Sequence, residues 1–189
     1  MSIAQVAADE QRCGWLARAR ALASPNFDER PAGVRIDLVV IHAISLPPGQ
    51  FGGPYIEQLF TNRLAAAAHP YFATIDGLRV SAHFLIPRDG QLIQFVDVFA
   101  RAWHAGDSIW RGRPRCNDFS VGIELEGCDE RPFTAAQYAS LVHLLADLFG
   151  LLPRLGIDSL VGHSDIAPAR RTDPGPHFDW HRLRYLLSQ

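Results

Sequence analysis

The sequence predicts one α/β domain, a central mixed β-sheet flanked by helices. Three observations point to it. A β-branched run, Val34–Ile41, reads as a strand buried on both faces. Two shorter apolar runs flank Arg88-Asp89-Gly90, the signature of a hairpin closed by Asp-Gly. A single strongly amphipathic segment follows Thr134. Helical and strand periods that alternate along one chain favour mixed layers over a bundle or a sandwich.

Taken in order, residues 13–22 place Trp15, Leu16, Ala19 and Leu22 at helical offsets, and Ser24-Pro25 stops the run. The strand from Val34 ends in Ile41-His42. Ser45–Pro54 (SLPPGQFGGP) is too rich in Gly and Pro for anything but a loop, and Pro54 opens a short helix through Leu59 and Phe60. Arg79–Ile86 and Leu92–Val98 form the hairpin strands, and Ser120–Leu125 forms another strand. From Thr134 a capping box with Gln137 starts a helix whose apolar face is Tyr138, Leu141, Leu145 and Leu148, with Gly150 as its stop. The domain covers residues 1–189, with 1–12 and 182–189 as peripheral tails.

Composition narrows the function. A chain of 189 residues builds a substantial core, and its apolar and charged fractions are those of an ordinary globule. A formal net charge of -2 argues against a nucleic-acid surface. No apolar run is long enough to span a bilayer, and the N-terminus lacks the pattern of a secretory leader. Cys13, Cys116 and Cys128 are odd in number and match no metal or redox spacing, so they read as free thiols of a reducing compartment. The expected location is the cytoplasm, with no membrane, nucleic-acid or obligate protein partner.

Chemistry concentrates in VGHSDIAPARRTDPGPHFDW, residues Val161–Trp180. It puts His163 and Asp173 on a loop stiffened by Pro168, Pro174 and Pro176. His42 ends the run LVVIH as His163 ends SLVGH, and ligands at strand ends face a cleft from a rigid scaffold. Two imidazoles and a carboxylate can hold Zn²⁺ and leave a fourth position for water. Asp165 is a rival for the carboxylate role. Of the other histidines, His69, His83, His143 and His181 read as structural or surface residues. H-E-x-x-H is absent, which argues against a helix-based zinc protease.

In VGIELEG, Val121, Ile123 and Leu125 point to one side of a strand and Glu124 and Glu126 to the other. One of the two carboxylates suits a general base, and alternation does not say which. Arg170 and Arg171 bring positive charge beside the ligand loop, where a guanidinium can stabilise an oxyanion.

The segments HAISLPPGQFGGPYIEQLF, AHPYF, LRVSAHFLIPRDG, RAWHAG, RCNDFSVGIELEG and VGHSDIAPARRTDPGPHFDW occur in this order. In them the chain resembles the AmpD-type anhydro-N-acetylmuramyl-L-alanine amidases, zinc enzymes of peptidoglycan recycling. The resemblance runs from about Trp15 to Trp180. It implies the fold shared by peptidoglycan recognition proteins and phage amidases, and zinc on His42, His163 and Asp173. It also implies Glu124 as the catalytic glutamate and an anhydro-muropeptide substrate cut between the lactyl group and L-Ala; for such a substrate Arg79 and Arg115 are candidates for the stem-peptide carboxylates, and Trp103 offers a flat apolar wall for the sugar. Two positions depart from the family. Arg171 stands where Lys is usual, so it suits oxyanion stabilisation better than proton donation. Ala43 stands where Asn is common, so a side-chain hydrogen bond to substrate is missing. A non-catalytic muropeptide-binding module is the rival of another class; the presence of all three ligands and the base argues against it.

Overall fold

A computed structural model describes residues 14–189. In chain order it contains β1 (Arg20–Ala21), β2 (Phe27–Asp28), β3 (Leu38–Ile44), α1 (Tyr55–Phe60), α2 (Pro70–Thr74), β4 (Phe84–Ile86) and β5 (Ile93–Gln94). Then come β6 (Arg101–Ala102), β7 (Ile109–Trp110), β8 (Arg113–Pro114), β9 (Ser120–Glu126), α3 (Ala135–Leu151), β10 (Leu160–Gly162), α4 (His163–Ile166) and α5 (Trp180–Leu187). Six strands form one sheet in the order β1-β5-β4-β9-β3-β10. All its pairs are parallel except the β4–β5 hairpin. The mixed α/β sheet is the one expected.

Strand alternation divides the core. Val39 and Ile41 of β3 and Val121, Ile123 and Leu125 of β9 join Tyr138, Leu141, Leu144, Leu145 and Leu148 of α3 in the largest cluster. Helix α3 starts as expected: the Thr134 hydroxyl accepts the Gln137 N–H, and the Gln137 side chain accepts the Thr134 N–H. On the opposite sheet face, Leu85, Ile93 and Phe95 pack under α1 and α2, with Ile56, Leu59, Phe60 and Phe72. Leu38 and Val40 join Phe119, Val161 and Ile166 in a third cluster on that face. His42 follows Val40 by one alternation on that face and is the one polar residue of β3.

Several boundaries differ from expectation. No helix occupies residues 14–22; Cys13 lies outside the described residues, as does the expected tail 1–12. Long-range partners outcompete local helical bonds here. The Leu16 N–H goes to the Gln94 side chain, the Gly14 N–H to Asp97, and Arg20–Ala21 pair with β5. Strand β3 begins four residues later than the β-branched run and continues past His42 to Ile44, because it pairs with β9 over its whole length. The hairpin strands are shorter than their apolar runs. Helix α3 passes through Gly150 to Leu151. The end segment forms α5, and Leu183 within it is buried in the main cluster rather than lying in a peripheral tail. No described helix is long and apolar enough to cross a membrane.

Candidate metal centre

The register of the sheet assembles the site. His42 on β3 is directly paired with Glu124 on β9, so both side chains stand on the same face. Strand β10 pairs Gly162 with Ile41, which sets His163, the first residue of α4, beside His42. The ligand loop is pulled in behind. The Ser164 N–H donates to the Asp173 carbonyl at 2.9 Å, and Pro174 lies so close to Gly162 that a Cβ there would meet its Cδ at 2.8 Å. Only glycine permits that approach.

Three atoms converge. His42 Nδ1 lies 3.0 Å from His163 Nδ1, and each lies 3.1 Å from Asp173 Oδ2. These residues form the one group among the described residues able to hold a metal ion through three side chains. Asp165, the rival carboxylate, instead accepts the Gly162 N–H at 2.7 Å.

The ring protons follow from the outer partners. His163 Nε2 faces the Ala105 carbonyl at 3.2 Å, which can only accept, so Nε2 carries the proton and Nδ1 a lone pair. The His163 Nδ1 lone pair and the Asp173 carboxylate, this close, repel unless positive charge sits between them. Ligand atoms about 3.3 Å apart are expected around a tetrahedral Zn²⁺ with bonds of about 2.0–2.1 Å. The donor set fits such an ion.

Electrostatics agree with this arrangement. Burial drives the His42 pKa down, and its contact with Asp173 only partly offsets this. For Asp173 burial acts upward, and protonated His163 and His42 would outweigh it and hold the carboxylate well below its usual range; with lone pairs on those nitrogens, a cation among the three donors would take over that role. Burial pushes Glu124 well above the ordinary carboxylate range; the Asp173 charge adds to this and Arg171 opposes it. Glu124 Oε2 is buried, with no hydrogen-bond partner among the described residues. Glu126, in contrast, accepts backbone N–H groups from Gly52 at 2.5 Å and Arg88 at 3.1 Å. One glutamate ties down loops, and the other faces the cleft uncommitted.

That cleft, about 200 Å³, is lined by His42, His163, Asp173, Glu124 and Arg171, with Trp103, Tyr71 and Leu78 among its apolar walls. The Trp103 indole donates to Asp28 at 2.7 Å, which fixes its plane. Arg79 lines a small neighbouring pocket that shares Leu59, Ile75 and Leu78 with the cleft. Arg115 and Arg170 line a separate cavity of about 600 Å³. The Arg170 guanidinium donates to the carbonyls of Ala105 and Asp107, a structural role.

The histidines expected to be structural are so. His69 caps α2, His83 is buried, and His143 and His181 are exposed. The sequence reading passed over His104. It is buried beside His42, with His42 Nε2 2.9 Å from His104 Nδ1. Nothing periodic surrounds His104 in RAWHAG; its flanking Trp103 and Gly106 were the available signal.

Comparison with known proteins follows the same lines. The family model described as N-acetylmuramoyl-L-alanine amidase matches residues 32–176. The chain is 54% identical to the 1,6-anhydro-N-acetylmuramyl-L-alanine amidase AmpD of Enterobacter cloacae, over 93% of each. The crystal structure of a selenomethionine AmpD derivative superposes with a TM-score of 0.89 at 54% identity, covering 92% of this chain and 97% of that one. AmiD of Escherichia coli, solved with the substrate anhydro-N-acetylmuramic acid-L-Ala-D-γ-Glu-L-Lys, superposes with a TM-score of 0.60 at 29% identity. That match covers 84% of this chain and 60% of AmiD.

Proposed function

Because the chain belongs to the N-acetylmuramoyl-L-alanine amidase family, in its AmpD-type branch, we propose that it hydrolyses the amide between anhydro-N-acetylmuramic acid and L-Ala of the stem peptide, with Zn²⁺ held by His42, His163 and Asp173. The observation that carries this reading is the triangle of donor atoms at 3.0–3.1 Å with an uncommitted, buried carboxylate on the neighbouring strand. The substrate class rests on the AmpD relatives and on the muropeptide bound by AmiD.

When bound, the ion supplies Lewis acidity and lowers the pKa of a water from 15.7 toward about 7. Glu124 would take a proton from the attacking water as the water oxygen bonds to the amide carbon. As the C–N bond breaks, Glu124 returns the proton to the departing L-Ala nitrogen. A carboxylate whose pKa lies above the usual range is a stronger base once ionised and a competent acid once protonated. Arg171 faces the same cleft, and its guanidinium holds the developing oxyanion. The Trp103 face receives the sugar. Arg79, in the pocket beside the cleft, supplies charge for the stem-peptide carboxylates, whereas Arg115 lines a separate cavity and pairs with Asp118 at 3.2 Å, away from that role.

The role that fits this substrate is peptidoglycan recycling in the cytoplasm. Mass spectrometry of a defined anhydro-muropeptide treated with the zinc-loaded chain tests the reaction. Release of free anhydro-sugar and a peptide beginning with L-Ala, abolished by a chelator, is the expected result. Cleavage at another bond, or undiminished cleavage under chelation, overturns it.

A further inference from the structure

We infer that His104 is a positioning residue: it accepts the Nε2–H of His42 and so presents the His42 Nδ1 lone pair to the metal. The inference rests on the metal reading above. It starts from a chain of hydrogen bonds whose direction is fixed at its far end. The Cys116 carbonyl can only accept, so the Ser120 hydroxyl, 2.6 Å away, donates to it. The Ser120 oxygen is then the acceptor for His104 Nε2, 3.3 Å away, so the proton of the neutral His104 ring sits on Nε2. His104 Nδ1 is left as an acceptor, and among the described residues the hydrogen available to it is the one on His42 Nε2, 2.9 Å away. With that proton placed, His42 Nδ1 has no hydrogen and points at His163 and Asp173.

The fold makes room for this arrangement. A Cβ on Gly122 of β9 would lie 2.4 Å from His104 Cγ, so the imidazole occupies space that any other residue there would fill. Ser120 and Gly122 are on the Glu124 face of β9, and this strand therefore carries the base and seats the ring that orients a ligand. The His104 and His42 rings meet edge to face, with centroids 5.1 Å apart.

The next residue serves the other imidazole. The Ala105 carbonyl accepts from His163 Nε2 at 3.2 Å and also from Arg170 at 3.2 Å. The Asn117 side-chain oxygen accepts the N–H groups of both His104 (3.1 Å) and Ala105 (2.8 Å), fixing the dipeptide. Side chain and carbonyl of adjacent residues thus set the tautomers of both histidine ligands. Outer partners of this kind are typically worth about 10–100-fold in metal affinity.

The test compares zinc affinity, by competition with a chromophoric chelator, for the unaltered chain, His104→Phe and His104→Gln. Thermal unfolding of the metal-free proteins is followed in parallel. Gln offers an acceptor oxygen and Phe offers only volume. The expected result is a loss of about 10–100-fold for His104→Phe, substantial recovery for His104→Gln, and similar metal-free unfolding for both. In ¹H–¹⁵N spectra of the zinc-loaded unaltered chain, the His42 Nε2–H should be protected from solvent exchange, and His104 should carry its proton on Nε2. Those spectra decide the matter even if His104→Phe does not fold. Equal zinc affinity in folded His104→Phe overturns the inference, as does equal impairment of both variants or a proton on His104 Nδ1. Should the unaltered chain bind no zinc, the metal reading falls first and this inference with it.

Discussion

Glu124 and Glu126 stand two residues apart on one face of β9 and have opposite surroundings: the backbone N–H groups of Gly52 and Arg88 occupy both oxygens of Glu126, whereas Oε2 of Glu124 has no partner among the described residues. The difference makes Glu126 a loop anchor and leaves Glu124 free for the proposed role of base, and it predicts opposite phenotypes. Glu124→Gln should lower kcat by about 10²–10⁴ and leave zinc content and melting temperature unchanged or raised, because a neutral amide relieves a buried carboxyl. Glu126→Ala should cost about 1.5–3 kcal/mol in denaturant unfolding. A Glu124→Gln enzyme at the parental rate would contradict the assignment.

Arg171 is expected to act on the transition state rather than on metal loading. Arg171→Ala should reduce kcat by about 10²–10³ with zinc content unchanged, and Arg171→Lys should restore much of the rate by returning the charge to the cleft. If Arg171→Ala raises only KM, the residue binds ground-state substrate and its oxyanion role is wrong.

Acid should destabilise the fold through His83. Burial, with Arg30 adding to it, lowers the pKa of this ring to about 3 from 6.5. Its Nδ1 accepts the Gly122 N–H, and its Nε2 faces the Ala100 carbonyl. Below pH 6.5 the unfolded chain takes up a proton that the folded chain refuses until about pH 3, so stability falls as pH falls through that window. The slope from this group is about 1.4 kcal/mol per pH unit, or about 2 kcal/mol between pH 6.5 and pH 5. Urea unfolding of His83→Gln, which keeps an acceptor, should show a shallower pH dependence by about that amount. An unchanged slope would remove His83 from the account.

Much of the site was legible because its ligands end apolar strand runs: LVVIH and SLVGH deliver His42 and His163 as strands should, and the alternation in VGIELEG puts both glutamates on the site face. Alternation could not separate Glu124 from Glu126, since the difference lies in the Gly52 and Arg88 amides, donated by loops distant in sequence. Asp165 and Asp173 were rivals for a like reason: the bond from Gly162 that occupies Asp165 depends on how α4 begins. His104 escaped notice because its significance is a pairing across 62 positions and a missing Cβ on Gly122. The false helix over 14–22 shows the converse, where a correct apolar period lost to partners on β5 and beyond.

The central claim is most directly tested by counting metal. Elemental analysis of the purified, zinc-equilibrated chain should give one zinc per molecule, falling to near zero in His42→Ala, His163→Ala and Asp173→Ala proteins that remain folded. Full zinc occupancy in any of those folded variants would contradict the three-residue centre and the hydrolytic chemistry built on it.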